Sequence, residues 1–225
     1  MVNLLTRLGV DVTFNPQQTC CGQPAFNSGY RREARSVAEQ TLLLFARELD
    51  STDYIVAPSG SCVAMMKKHY AELFADDAQM HAQSESVGAR LFELSQFLVE
   101  VLGVEDVGAR FEGRITYHDS CHLLRELGVA QPPRKLIRAV GGADFVEMDD
   151  ADVCCGFGGT FSVKYPEISC AIGAEKIACI ERSNAKTIVA CDASCLLHIA
   201  GLLSRRGSAV RSLHLAELLA GASQT

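Results

Sequence analysis

The 225-residue sequence lacks the features that place a protein in or across a membrane. Its longest apolar stretches, such as residues 41–46 and 213–220, are far shorter than the roughly 20 residues of a membrane-spanning helix. Residues 1–12 carry Arg7 and Asp11 and show neither the apolar stretch nor the cleavage site of an export signal. We therefore expect no membrane span and a cytoplasmic protein.

Two further absences concern partners and cofactors. The net charge is -6 and no basic cluster is present, which argues against nucleic acid as a partner because phosphate binding requires concentrated Lys and Arg. The pair Gly158-Gly159 is too short for the G-x-G-x-x-G fingerprint of dinucleotide binding. The sequence therefore predicts no nicotinamide or flavin site.

Cysteine, by contrast, is abundant, with ten residues in the chain. Secreted disulfide proteins are usually shorter and carry an export signal. The same cysteine density in a chain of this length indicates metal binding or catalysis in a reducing compartment.

The cysteines follow an internal repeat. The triplets Cys20-Cys21-Gly22 and Cys154-Cys155-Gly156 are offset by 134 residues, and the apolar runs 54–57 and 187–190, which lead to Cys62 and Cys195, are offset by 133. Self-similarity at a fixed offset indicates two structural copies. Glycines and charged residues between Gly103 and Gly113 mark the junction, so we predict a first cysteine-rich domain at 1–108 and a second at 109–225.

Apolar periodicity predicts an α/β fold of two pseudo-symmetric lobes, each with a parallel sheet flanked by helices. The predicted strands are Val10–Phe14, Tyr54–Ala57, Ile115–Tyr117 and Thr187–Ala190. The predicted helices are Arg31–Leu49, Val87–Leu102, Pro133–Val140 and Ile168–Ile180. The cysteines then follow strand ends, where α/β folds place their ligands.

Four thiols from three segments form the strongest candidate site: Cys121, Cys154, Cys155 and Cys195. Iron–sulfur clusters usually take four thiolates, and non-local cysteines can enclose them. Gly22 and Gly156 allow positive φ beside the ligands and a close approach of amide groups to sulfur. Cys170 and Cys179 lie nine residues apart within a predicted helix, so we interpret them as packing residues.

The neighbours of Cys121 are weaker candidates. His118 and His122 could hydrogen-bond cluster sulfur, accept a substrate proton or bind metal, although packing histidines are commoner. Asp119 is expected to cap the helix that follows.

Four motifs together resemble a known family: Thr19–Gly29, Ala57–Cys62, Tyr117–His122 and Cys154–Ser162. They are similar to the cysteine-rich domain of heterodisulfide reductases and of glycolate oxidase iron–sulfur subunits, and most similar to the lactate utilisation protein A family. The resemblance covers nearly the whole chain. It implies a cytosolic protein that works with a ferredoxin-like iron–sulfur protein and a smaller third protein to oxidise L-lactate, a small 2-hydroxy acid, to pyruvate.

Departures from the family pattern determine how many clusters we expect. The pattern begins with a strand carrying its own cysteine about thirty residues before Cys20, and this strand is missing here. Either the start was assigned too late, which we expect, or the lobe is truncated. Cys20, Cys21 and Cys62 thus form an incomplete set, which either takes an outside ligand to hold a second cluster or is empty.

The last turn of each repeat also departs from the heterodisulfide reductases, which carry Cys-x-x-Cys there. This chain has Ser59-x-x-Cys62 and Asp192-x-x-Cys195, so a five-cysteine, non-cubane cluster loses a ligand in each lobe. The resemblance then favours a [4Fe-4S] cluster on Cys121, Cys154, Cys155 and Cys195, with Cys191 as a substitute fifth thiol.

We expect an iron–sulfur subunit that relays electrons in an oxidoreductase complex and is not active alone. One alternative is a zinc-binding structural or assembly module, although zinc sites usually carry two short Cys-x-x-Cys pairs and this chain has none. Another is a heterodisulfide or thiol–disulfide redox subunit whose adjacent cysteines exchange with thiols.

Overall fold

The computed structural model of the chain describes residues 1–221 and has an α/β architecture with two parallel sheets. The strands are β1 (Ile55–Ala57), β2 (Leu91–Glu93), β3 (Arg110–Tyr117), β4 (Gly141–Phe145), β5 (Thr187–Ala190) and β6 (Arg211–His214). The first sheet pairs β1 with β2, and the second has the order β4-β3-β5-β6. The predicted fold class is confirmed.

Helices surround both sheets. They are α1 (Val2–Arg7), α2 (Gln23–Asn27), α3 (Arg31–Glu48), α4 (Gly60–Ala64), α5 (Tyr70–Leu73), α6 (Ala78–Arg90), α7 (Leu94–Gln96), α8 (Gln131–Arg138), α9 (Thr160–Lys164), α10 (Pro166–Arg182), α11 (Ala193–Arg205) and α12 (Leu215–Ala220). Three π-helical turns occur at Met65–His69, Phe97–Val101 and His122–Glu126. In residues 1–221, we find no helix that combines the length and the apolar character needed to span a membrane.

The repeat is visible in the order of elements. In each copy a cysteine triplet precedes a long helix, α3 or α10, and the next strand, β1 or β5, ends at a turn into the helix that carries Cys62 or Cys195. Within residues 1–221 the first copy contains no strands equivalent to β3 and β4. The domain boundary at 108/109 stays a prediction, and residues 222–225 of the second domain lie outside the described residues.

Two predicted elements are wrong. Val10–Phe14 forms no strand, because its alternating valines pack against the core without a strand beside them and Phe14 is 68% exposed. The predicted helix Val87–Leu102 is interrupted by β2, which pairs in parallel with β1. Sheet pairing, which is non-local, outweighs the helical spacing of the apolar residues.

The predicted linker Gly103–Gly113 is partly wrong as well. Its last four residues belong to β3, which starts at Arg110 and pairs with both β4 and β5. Gly113 has φ +130° at an irregularity in the β3–β4 pairing, so a glycine in this strand marks a distortion and not a break.

The two copies share one core. A central cluster joins residues of both halves, with Leu4 and Leu94 from the first packed against Ile115, Val189 and Leu215 from the second. Each copy adds its own smaller core, between α3 and the helices α4 to α6 in the first and between α10, β5 and α11 in the second. Because the largest core is shared, we expect the copies to fold together.

Buried charges brace the second copy. The Arg134 guanidinium on α8 donates to both carboxylate oxygens of Asp119, at 2.8 and 2.6 Å, and to both oxygens of Glu147. The Asp119 side chain is 6% exposed. The expected helix cap at Asp119 is therefore wrong, because the carboxylate is engaged by arginine.

We predict that Arg134→Met lowers the free energy of unfolding by about 3 to 5 kcal/mol, because it leaves the buried Asp119 carboxylate without a counter-charge. Lys135 lies on the same helix as Arg134 and forms an exposed ion pair with Glu105, outside that helix. Lys135→Met should lower the free energy of unfolding by less than about 1 kcal/mol. Urea unfolding of both variants measures the difference. Equal losses would contradict the role of Arg134.

A second prediction concerns Glu93, which is 1% exposed at the end of β2. Burial, more than the opposing hydrogen bonds from Ser95 and Gln96, raises the pKa of Glu93 from 4.5 to about 7. The folded state therefore favours the neutral form of the Glu93 carboxyl. The stability that this neutral carboxyl contributes is complete below pH 4.5 and is lost as pH rises towards 7.

Glu93→Gln should therefore be more stable than the parent at pH 8, by up to about 3 kcal/mol, and similar to it at pH 4. Denaturant unfolding at both pH values tests this, with the exposed Glu39→Gln as control. A stability difference that does not depend on pH would contradict the raised pKa.

Candidate metal centre

The parallel sheet of the second copy gathers the predicted ligands. Cys121 lies just beyond the end of β3, at the start of the π-helical turn His122–Glu126, and Cys195 lies in the first turn of α11, just beyond β5. Because β3 and β5 are parallel neighbours, with Tyr117 opposite Val189, these segments leave the sheet at the same edge. Cys154 and Cys155 arrive from the loop between β4 and α9.

The four thiols form a connected chain. Neighbouring thiols affect one another's ionisation, Cys121 with Cys154, Cys154 with Cys155, and Cys155 with Cys195. Cys155 and Cys195 are buried, and Cys121 and Cys154 are partly exposed. The structure therefore brings all four predicted second-lobe ligands together.

The interactions between neighbouring thiols lower the pKa values of two of them and raise those of the other two. Interaction with Cys121 and Cys155, followed by the hydrogen bond from the amide of Gly156, lowers the pKa of Cys154 to about 2. The pKa of Cys195 falls to about 6 through its interaction with Cys155, against the effect of burial and with help from His118. The pKa values of Cys121 and Cys155 are raised by the same interactions and by burial. Metals bind thiolates, so Cys154 and Cys195 are ready for binding at neutral pH.

His118 extends this set. A ring nitrogen of His118 and the sulfurs of Cys155 and Cys195 lie within 4.8 Å of one another, and all three residues are buried. Within the described chain, neither ring nitrogen of His118 has a hydrogen-bond partner of normal geometry, although the residue is only 1% exposed. A buried imidazole in this state is costly, which indicates that the site binds a group in addition to the protein.

His122 has a different environment. Its Nδ1 lies 3.5 Å from the Cys121 sulfur and its Nε2 lies 3.6 Å from Glu126. Glu126 also contacts His69 of the first copy, at 3.1 Å. His122 thus joins the thiol site to a partly exposed contact between the copies.

Both triplet glycines have conformations that require glycine. Gly22 and Gly156 have φ values of +87° and +89°, and their amides donate to the sulfurs of Cys20 and Cys154 at 3.4 and 3.3 Å. A Cβ on Gly156 would lie 2.4 Å from the carbonyl oxygen of Ser169, and one on Gly22 would lie 2.9 Å from that of Ala34. Each triplet is therefore pressed against the long helix that follows it.

In the first copy, Cys21 and Cys62 affect each other's ionisation, and Cys20 is exposed. The interaction with Cys21 lowers the pKa of Cys62 to about 7, with smaller contributions from the hydroxyls of Ser59 and Ser61 and against burial and the charge of Asp192. The first copy offers these three thiols, because the other seven cysteines follow residue 120.

The remaining cysteines have other neighbours. Cys191 is buried in the central core, with its sulfur 3.5 Å from the Tyr117 hydroxyl. Cys170 and Cys179 lie on α10, and Cys179 accepts a hydrogen bond from Arg182. A role for Cys191 as a fifth thiol stays a prediction.

The sequence did not indicate two supports of the loop before Cys154. The ammonium group of Lys176, a fully buried residue on α10, donates to the carbonyl oxygens of Asp150 and Ala151 at 2.9 and 3.0 Å. The amide of Asp119 donates to the same Ala151 carbonyl. A lysine on the buried face of a helix was the available signal, since buried lysines are rare unless their groups are paired.

Comparison with known proteins agrees with this site. The CCG family, described as a cysteine-rich domain, matches residues 1–67 and 115–200, which contain both triplets. Lactate utilization protein A of Geobacillus kaustophilus is 48% identical over 218 residues, which cover 97% of this chain and 89% of the relative. The protein of the same name from an Exiguobacterium species is 47% identical over 97% of this chain and 88% of its own length.

A third relative, from Anoxybacillus flavithermus, is also named lactate utilization protein A and is 46% identical over 97% of this chain and 90% of its own length. Identity of this extent over nearly the whole length confirms the resemblance that the cysteine motifs indicated. The chain belongs to the lactate utilization protein A family of CCG cysteine-rich domain proteins.

Proposed function

We propose that the chain is the iron–sulfur subunit of a system that oxidises L-lactate, a small 2-hydroxy acid, to pyruvate. The observation that carries the proposal is the group of four neighbouring thiols from three segments, with Cys155 and Cys195 beside the buried ring of His118. The name of the relatives, lactate utilization protein A, supports the metabolic role. Electron relay and the reaction itself are parts of the proposal.

The second copy fits a [4Fe-4S] cluster in the chemistry of its donors. Cys121, Cys154, Cys155 and Cys195 would hold it, and four cysteines are the usual ligand set. When bound, such a cluster supplies one-electron transfer. The amide of Gly156 already donates to Cys154 sulfur, and hydrogen bonds of this kind tune the potential of a thiolate-bound metal.

The other residues of the site exclude water and hold the ligand loops in place. Cys155, Cys195 and His118 are each less than 10% exposed, so the inner side of the site is dry. Arg134 fixes Asp119, two residues before Cys121, and Lys176 fixes the carbonyls just before the second triplet. These supports set ligand positions before a metal binds, which reduces the entropy lost on binding.

In the first copy, Cys20, Cys21 and Cys62 would hold a second cluster only with a ligand from outside this chain's first repeat. A ferredoxin-like iron–sulfur protein and a smaller third protein are the proposed partners. A partner is required chemically, because removing two electrons from a 2-hydroxy acid needs an acceptor beyond a single one-electron centre.

One observation favours a second candidate function, a single-metal site. The ligand atoms of His118, Cys155 and Cys195 lie within 4.8 Å of one another. Zinc bound at 2.0 to 2.3 Å would hold its ligand atoms about 3.5 to 4 Å apart, close to that spacing. A zinc-binding structural module is therefore the alternative to an electron relay.

Anaerobic purification followed by iron, sulfide and zinc analysis separates the two. We expect about four irons and four sulfides per chain if one cluster binds, about eight of each if both copies are loaded, and a cubane-type paramagnetic signal after reduction. Zinc without sulfide would overturn the iron–sulfur proposal in favour of the structural module.

We predict that Cys154→Ser or Cys195→Ser loses the second-copy cluster, seen as the loss of about four irons and of visible absorbance. Cys170→Ser is the matched control, because Cys170 lies on α10 and is not one of these four thiols. Equal losses in all three variants would show that the ligand assignment is wrong.

We also predict that the purified chain alone oxidises L-lactate at less than about 1% of the rate of the reconstituted system. The reason is that the described residues show neither a complete acid–base site nor the sequence fingerprint of an organic cofactor. The measurement is pyruvate formation with an artificial electron acceptor, with and without the partner proteins. Full activity of the isolated chain would refute the subunit role.

A further inference from the structure

Asp192 occupies a symmetric position between the two cysteine turns. It lies 133 residues after Ser59, the same offset that relates Cys195 to Cys62. Ser59 is the residue before α4, and Asp192 is the residue before α11. Equivalent residues of the two copies therefore precede the two helices that carry Cys62 and Cys195.

The two residues contact each other. One oxygen of Asp192, Oδ1, accepts hydrogen bonds from the Ser59 hydroxyl at 3.0 Å, the Ser61 amide at 3.1 Å and the Ser61 hydroxyl at 2.7 Å. All three donors belong to the first copy. Asp192 is only 2% exposed, so these bonds are shielded from water and are of the stronger, charge-assisted kind.

The side chain of Asp192 does not cap α11, the helix that follows it. An aspartate at this position normally accepts a hydrogen bond from the first amides of the helix that follows, yet the structure shows no such side-chain bond to α11. Instead the carboxylate binds the turn at the start of α4, whose Cys62 amide is capped by Ser59. The second copy therefore holds the cysteine turn of the first.

The packing of Gly60 shows how close this contact is. A Cβ at Gly60 would lie 2.6 Å from the Cβ of Leu123 and 3.2 Å from Oδ2 of Asp192, both in the second copy. Oδ2 is buried and has no hydrogen-bond partner within the described residues. The first cysteine turn thus packs directly against the second copy, and one carboxylate oxygen of Asp192 is buried in this contact.

The charge of the Asp192 carboxylate lies near both thiol sets. Asp192 lies three residues before Cys195, and its Oδ1 accepts a hydrogen bond from the amide of Ser61, the residue next to Cys62. A negative charge in a buried site acts over several ångströms because screening by water is weak. It would disfavour the addition of an electron to a centre on either side.

We propose that Asp192 is a positioning residue that ties the first cysteine turn to the second copy and places one negative charge beside both thiol sets. The positioning role stands on geometry alone. The electrostatic role rests on the proposed iron–sulfur function.

Hydrogen–deuterium exchange tests the positioning role. In Asp192→Ala the peptide covering residues 59–64 should exchange at least tenfold faster, because the Ser61 amide loses its acceptor. The peptide covering α11 should change less than about twofold, since Asp192 makes no side-chain bond to that helix. Asp192→Asn keeps an acceptor oxygen and should restore slow exchange.

If Asp192→Ala does not fold, Ser61→Ala tests the same link, because it removes the 2.7 Å bond to Asp192 and leaves the Ser59 cap of the Cys62 amide in place. It too should accelerate exchange of the peptide covering residues 59–64. Unchanged exchange of that peptide, or equal acceleration of α11, would overturn the positioning role.

Redox titration of the full chain purified with its clusters tests the electrostatic role. Asp192→Asn should increase the equilibrium constant for one-electron reduction at least tenfold, a shift of about 59 mV to higher potential. Asp50→Asn, an exposed aspartate at the end of α3, is the charge-matched control and should shift that constant less than about twofold. Equal shifts in both variants would overturn the electrostatic role.

The two proposals fail in different ways. A parent protein without iron and sulfide refutes the proposed function and with it the electrostatic role. The exchange experiment needs no cluster, so it still decides whether Asp192 holds the first cysteine turn.

Discussion

The pairing of β3 with β5 is the constraint on which the site depends. Parallel register places Tyr117 opposite Val189, so the segments that follow, with His118 and Cys121 on one side and Cys195 on the other, leave the sheet together. A shift by one residue would turn every side chain to the opposite face. The thiols come from three segments more than thirty residues apart along the chain, and this sheet edge brings them close together.

Close packing of each triplet against its helix explains why the repeat keeps glycine after two cysteines. Gly22 and Gly156 combine positive φ with contacts that leave no room for a Cβ, and their amides point at sulfur. The conformation that presents two adjacent thiols to one site therefore also supplies a hydrogen bond to one of them. Substitution would disturb ligand geometry and electrostatics together.

Buried charge is the second organising feature, and it joins the copies. Arg134 and Lys176 fix the segments around Cys121 and the second triplet, and Asp192 binds the first cysteine turn. Buried ions of this kind contribute little net stability relative to apolar residues, but removing one partner is costly. Their arrangement is therefore better understood as fixing where the ligand loops lie than as stabilising the fold. The shared central core makes the same connection between the copies through apolar contacts.

The sequence by itself determined the repeat, the α/β class, β5 and α3, and it predicted the four second-copy thiols as ligands, because adjacent cysteines, glycine and short apolar runs are local patterns. It mispredicted Val87–Leu102, since the pairing of β2 with β1 depends on residues far away in the chain. Only the tertiary structure revealed the roles of Arg134 and Lys176, the buried environment of the His118 ring and the contact of Asp192 with the other copy. Each of these depends on which groups meet in space and are hidden from water, and side-chain type and spacing along one segment do not encode that.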